Sequence, residues 1–275
     1  MSMKRTLRKS VRQVARKSSF LTRVEIGLME REYRLSARMR RSSKAERRFV
    51  IYSRGRSGST LLVQLLNAHS SVQCDDEILN LPVALRDPAT YVRDRAHLAH
   101  KPVYGFKLLS YQLPKLQNIE DQSAFLDDMQ RDGFAIIYLY RRDLLRHAIS
   151  NIMARQRGEF HRRAEGGKAA PGDGKVVIDE SDLGRWLKNT RSAEEMEHRV
   201  MLGRDACWVC YEDDLESDDA RQAAMKRIFE DLSVAPEPVN TNLAKLTSAK
   251  LSSFIQNYDD LKNAFSDSEF SQYFD

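Results

Sequence analysis

The segment Phe49-Val-Ile-Tyr-Ser-Arg-Gly-Arg-Ser-Gly-Ser-Thr-Leu-Leu62 constrains the fold most strongly. A short apolar run reads as a buried strand, and Leu61-Leu62-Val63-Gln64-Leu65-Leu66 reads as the first turns of a helix. Between them lies a loop of small residues: Gly55, Ser57, Gly58, Ser59 and Thr60. A strand that feeds such a loop into a helix N-terminus is a phosphate cradle. Glycine allows close backbone approach, first-turn N–H groups lack intrahelical acceptors, and the helix dipole favours an anion there. Arg56 adds a cation able to fork onto phosphate oxygens. The loop is not a Walker A sequence, because Gly58 is followed by Ser59 and not by lysine. Nor is it a dinucleotide fingerprint, since only Gly55 and Gly58 are present.

A second junction of the same kind follows. Phe134-Ala-Ile-Ile-Tyr-Leu-Tyr140 is a buried-strand pattern. It ends on Arg141-Arg142-Asp143 and continues with helical spacing through Ser150. Alternating strands and helices predict an α/β fold, a P-loop-like three-layer sandwich around a central, mainly parallel sheet. The ligand is then expected outside the carboxyl ends of the strands. The expected organisation is a basic helical extension over residues 1–47 and one α/β domain over 48–275. A chain of 275 residues can bury one substantial core. Residues 157–180, rich in glycine and charge, read as a long loop, either a lid or a linker.

Charge is unevenly placed. Residues 1–48 hold 16 Lys or Arg against 4 Glu, about +12, whereas the whole chain carries +6, which leaves about −6 for the remainder. Leu7, Val11, Val14, Val24, Ile26, Leu28, Met29 and Leu35 give this basic stretch partial helical periodicity. It fits a solvated arm, a surface for anionic lipid or nucleic acid, or a partner-binding helix. Its first 24 residues, free of acid, also fit an organelle transit peptide. No apolar run has the length of a membrane span, and no secretory signal is visible, so a cytoplasmic location is expected, with membrane-peripheral attachment left open. Cys74, Cys207 and Cys210 make no disulfide framework, and Cys207-Trp-Val-Cys210 sits in a strand pattern, so buried thiols are expected.

Arg56-Ser-Gly-Ser-Thr-Leu-Leu62, then Leu65-Leu-Asn-Ala-His-Ser-Ser-Val72 and Asp75-Asp-Glu77, resemble the donor loop of the sulfotransferases that use 3′-phosphoadenosine 5′-phosphosulfate (PAPS). The resemblance is to the glutamate-base branch, which includes tyrosylprotein and bacterial carbohydrate enzymes. Gly55 stands where the family usually has proline. The resemblance extends over about residues 48–262 and implies the following roles. Arg56 and the N–H groups of Ser57, Gly58, Ser59 and Thr60 would hold the 5′-phosphosulfate. Arg142 and Ser150, eight positions apart, would hold the 3′-phosphate, with Arg141 out of register. Tyr211, in Trp208-Val-Cys-Tyr-Glu-Asp-Asp-Leu215, would lie near the adenine. Lys245 would reach the donor phosphates from before the last helix, with Thr247 as its cap.

Glu77 would be the base. Its neighbours Asp75 and Asp76 are expected to raise one carboxyl pKa of the three by like charge. Lys107, inside the apolar strand Val103-Tyr-Gly-Phe-Lys-Leu-Leu109, would stabilise transition-state charge; such a lysine needs a partner for its ammonium. No metal is required, because the protein supplies the cations. His69 and His147 read as helix-packing residues. Ala154-Arg155-Gln156 is similar to a motif of the carbohydrate branch and tilts the acceptor toward a carbohydrate or glycolipid hydroxyl. Two other readings stay open: a nucleotide-dependent phosphotransferase with an atypical loop, and a non-catalytic polyanion-binding protein. A homodimer is left open by the resemblance, since some bacterial relatives dimerise.

Overall fold

The computed structural model describes residues 19–156, 175–240 and 250–274. Five strands form one sheet: β1 (Arg47–Ser53), β2 (Val72–Asp75), β3 (Val103–Leu109), β4 (Phe134–Tyr140) and β5 (Cys207–Cys210). All described pairings are parallel, in the order β2-β3-β1-β4-β5. The α/β expectation therefore holds. The helices are α1 (Ser19–Met39), α2 (Ser59–Ala68), α3 (Pro88–His97), α4 (Gln112–Leu116), α5 (Gln122–Arg131), α6 (Leu144–Gln156), α7 (Glu180–Met201), α8 (Asp218–Asp231) and α9 (Tyr258–Ala264).

Strand alternation sorts the side chains into two cores. Phe49, Ile51, Cys74, Val103, Ile137 and Leu139 face α2 and α8, where they meet Leu62, Leu65, Leu66, Ile228 and Phe229. Val50, Tyr52, Tyr104, Phe106, Ile136 and Tyr138 face the other way, onto Val92, Phe125, Leu126 and Met201 of α3, α5 and α7. Gly105 is required here, since a Cβ on it would lie 2.2 Å from the Phe49 ring. Chain order reverses at β1: the chain leaves for β2 on one side and later returns to β4 on the other. This reversal opens a crevice above the carboxyl end of β1.

Helix α1, part of the predicted basic extension, is docked by one face. Ile26 is 2% exposed and belongs to the α3-side core, with Met29 and Tyr33 packed against it. Burial of Ile26 alone contributes about 2 kcal/mol. The Arg95 guanidinium lies 5.0 Å from the Tyr33 ring centroid and adds to the contact. The segment 175–179, placed by sequence within the long loop, is instead pinned. Val176 N–H donates to Phe254 O at 2.8 Å, Gln256 N–H donates to Val176 O at 2.9 Å, and Ile178 is buried. Residues 157–174 of that loop lie outside the described residues. Cys207 and Cys210, three apart on a strand, point to opposite faces and cannot converge on one ion.

Candidate functional site

The loop after β1 is built from unusual backbone. Arg56 has φ 65° and Gly58 has φ 88°. At Gly58 a side chain is barred twice, by the left-handed conformation and by the Tyr211 ring, which a Cβ would approach to 2.5 Å. Helix α2 begins at Ser59, and the Leu62 N–H donates to Gly58 O at 3.0 Å. The N–H groups of the first turn are left without intrahelical acceptors. Strain held in a loop at a switch point is a mark of a ligand-binding backbone. Ser57 is fully buried, and its Oγ has no hydrogen-bond partner among the described residues.

Two side chains hold the loop from beneath. His147 Nε2–H donates to Gly55 O at 2.7 Å, while its Nδ1 faces Thr190 Oγ1 at 3.2 Å. Burial, reinforced by the charge of Arg54, pushes this imidazole down to about 3, so it stays neutral. Arg54 is 3% exposed; strand parity directs it to α7. It donates to the Thr190 and Arg141 carbonyls at 3.0 and 3.1 Å, and it pairs with Glu197 at 3.2 Å and Glu194 at 3.5 Å. Glu197, fully buried, also accepts from Ser110 Oγ at 2.6 Å and from the Tyr138 hydroxyl at 3.3 Å. Desolvation raises its carboxyl to about 7, against the opposing pull of Arg54.

Above the loop the arginine environment changes. Arg56 is half-buried and donates from Nε to Ser150 Oγ at 3.1 Å. No carboxylate of the described residues pairs with it, and burial plus the neighbouring Arg141 cation lower its pKa. A desolvated cation beside a second cation is a site that gains from an anion. Arg141, 8% exposed, donates to Arg56 O at 3.4 Å and lies 4.9 Å above the Tyr211 ring, with Glu212 at 3.5 Å. Arg142 points away: its side chain is 61% exposed and grips Asp213 through two bonds of 2.8 and 2.7 Å. The structure thus sets Arg141 against the loop, while Arg142, the residue singled out by sequence, stands at the rim.

Across the crevice, Lys107 lies on the α2 face of β3, and its ammonium rises toward the start of α2. It stands 2.7 Å from Asp76, 3.0 Å from Glu77 Oε1 and 3.4 Å from Thr60 Oγ1. This triple contact is the partner that a lysine 3% exposed needs. Glu77 Oε2 is fixed by Asn80 Nδ2 at 2.7 Å and Gln112 Nε2 at 2.8 Å, so Oε1 meets only Lys107 among the polar groups of the described residues and keeps acceptor capacity. Sequence reading missed Asn80 and Gln112. Of the three neighbouring acids, Asp75 turns to the opposite face, where Arg95 and the Tyr104 hydroxyl bind it. Alternation along the chain separates it from its neighbour Asp76.

Of the residues that sequence singled out, Arg56, Ser57, Gly58, Ser59, Thr60, Ser150, Tyr211, Lys107 and Glu77 therefore border one crevice. Lys245 and Thr247 lie outside the described residues. His69 packs as expected, with its ring 4.4 Å from Phe229 and Nε2 bonded to Ala235 O at 2.9 Å. Arg155, at the end of α6, pairs with Asp182 at 3.4 Å. No group of three or more His, Cys, Asp or Glu among the described residues is placed to hold a metal ion. No described helix is long and apolar enough to cross a membrane.

No family model matches the chain, and no curated protein matches it. Among solved structures, a sulfotransferase from Alicyclobacillus acidocaldarius aligns at a TM-score of 0.47 and 14% identity, over 81% of this chain and 92% of that one. Mouse sulfotransferase SULT7A1, solved in complex with PAP, aligns at a TM-score of 0.40 and 12% identity, over 80% of this chain and 67% of that one.

Proposed function

We propose that this protein is a sulfotransferase that moves a sulfonate group from PAPS to an acceptor hydroxyl, of a carbohydrate or glycolipid, by in-line displacement. One observation carries the reading. Arg56, with no described carboxylate partner, and Lys107, held 3.0 Å from Glu77, border the same small-residue loop at the start of α2. An anionic donor and a hydroxyl nucleophile need that pairing of an open cation with a fixed carboxylate.

In the proposed reaction Glu77 Oε1 takes the acceptor hydroxyl proton as the oxygen bonds to sulfur. The bond between sulfur and the 5′-phosphate oxygen breaks, and its electron pair leaves with 3′,5′-adenosine bisphosphate. Arg56 and the N–H groups of Ser57 to Thr60 bind the 5′-phosphate, and Lys107 balances charge at the transferring group. Ser150, bonded to Arg56 at 3.1 Å, would serve the 3′-phosphate. Arg141 and Arg142 are both within the segment that would serve it. The carbohydrate or glycolipid acceptor rests on the similarity of Ala154-Arg155-Gln156 to the carbohydrate branch.

Calorimetry with 3′,5′-adenosine bisphosphate tests the donor site. Micromolar binding is expected, weakened by about 2 kcal/mol in Arg56→Ala, as for a lost charge-assisted bond. Glu77→Gln should keep that affinity within about twofold while lowering turnover by about 10²–10⁴-fold. If folded wild type ignores the bisphosphate and binds ATP with Mg²⁺, the phosphotransferase reading replaces this one. Bisphosphate binding with sulfation unchanged in Glu77→Gln would reject the glutamate base.

A further inference from the structure

Helix α1 carries two apolar stripes. At about 100° per residue, Thr22, Ile26, Met29, Tyr33 and Ala37 lie on one side. These face the body of the protein, and Ile26 and Ala37 are 2% and 8% exposed. The far side carries Leu21, Val24, Leu28, Leu35 and Met39, exposed by 50%, 43%, 61%, 48% and 83%. A helix that needs only one apolar face to dock has a second that meets solvent. The outer stripe is bordered by Arg31 and Arg38 on one flank and by Glu25 and Glu32 on the other.

Charge decides what can cover this stripe. Residues 1–18 contain seven Lys or Arg and no acid, and Arg40, Arg41 and Lys44 follow the helix. A second copy of the chain would bring two segments of about +12 together, and the chain's own first 18 residues would set cation against cation. A nucleic acid would satisfy the cations and leave Leu21, Val24, Leu28 and Leu35 unburied. An anionic lipid surface satisfies both: headgroups meet the cations and the acyl boundary takes the apolar stripe. We propose that α1 is a membrane-surface anchor, which seats the protein on anionic lipid by its outer stripe while its inner stripe stays docked on α3. Glu30 supports that docking, as it accepts from the Arg86 N–H at 3.0 Å and the Asp87 N–H at 3.4 Å. The inference is independent of the reaction the crevice performs.

Co-sedimentation of the full chain with vesicles tests it. One set is phosphatidylcholine alone, the other phosphatidylcholine with phosphatidylglycerol. Wild type should bind the second set and not the first, and added salt should weaken the binding. The exposed-site double variant Val24→Glu/Leu28→Glu should melt like wild type and bind the anionic vesicles about tenfold or more less tightly. Equal binding by wild type and double variant would overturn the proposal, because charge alone would then suffice. Failure of wild type to bind either set would overturn it too. So would light scattering that shows a wild-type dimer and a monomeric double variant, since a second copy would then cover the stripe.

Discussion

Arg54 and Arg56 stand two residues apart, yet the regions on either side of the β1 loop treat them in opposite ways. Beneath the loop, Arg54 is saturated: two carbonyls, two carboxylates and almost no solvent. Above it, Arg56 has one hydroxyl partner, a neighbouring cation and no described carboxylate. The lower network ties β1, β4 and α7 together and has nothing left to offer a ligand. The upper region is incomplete as a set of charges. If the upper arginine serves binding as proposed, stability and binding are divided between two arginines of the same loop, and substitution should separate them.

Stability gives the largest contrast. Arg54→Ala strands Glu197 and Glu194 in the interior, and loss of one partner from a buried pair costs about 3–5 kcal/mol. Arg56→Ala should cost no more than about 1 kcal/mol, since it removes one partly exposed hydrogen bond. Urea melts of both variants check this. Equal destabilisation would mean that the upper arginine is also structural and would break the comparison.

Acidity offers the next test, because two buried groups beneath the loop respond to pH in opposite senses. The Glu197 carboxyl is raised from 4.5 to about 7. The folded state keeps a proton that the unfolded chain releases, so this group's stabilisation is complete below about 4.5 and falls as pH rises to about 7. The His147 imidazole is lowered from 6.5 to about 3. The unfolded chain then takes up a proton that the folded state refuses, so stability falls as pH drops below about 6.5. Each effect amounts to about 2 kcal/mol between pH 5 and pH 7, and together they nearly cancel. Glu197→Gln should leave a profile that rises with pH, and His147→Gln one that falls. The slopes carry the test, since either change also shifts absolute stability. A slope unchanged by either substitution would remove that group from the balance.

What was legible in the sequence follows this same division. The crevice residues on β1, β3 and β4 lie within or beside apolar runs, where one polar residue among hydrophobics is itself a signal; Lys107 is the clearest case. The parallel sheet was legible for the same reason, since strands buried on both faces read as continuous apolar segments. The underside was not. Nothing local distinguishes an arginine that points down from one that points up, and the α7 partners of Arg54 are about 140 residues away. Glu194 and Glu197 look like surface acids on a charged helix until the sheet is placed against them. The roles of Asn80 and Gln112 are hidden likewise, because amide side chains carry no pattern of their own. Asp75 shows how one residue of register redirects a carboxylate to the other face.

The smallest expected effect concerns the pair that the structure divides differently from the sequence. Eight-residue spacing to Ser150 points to Arg142, whereas geometry sets Arg141 against the loop and leaves Arg142 gripping Asp213 at the rim. An exposed ion pair is weak, so a phosphate of two negative charges could draw Arg142 away from it. Asp213→Asn would release that competitor. If Arg142 serves the 3′-phosphate, this variant should bind 3′,5′-adenosine bisphosphate about twofold to threefold more tightly, and Arg142→Ala should bind it more weakly. If neither substitution changes the affinity while Arg141→Ala lowers it, the cation is Arg141. The upper region would then be complete within the crevice wall, and the rim pair would serve only to hold the turn after β5 against the start of α6.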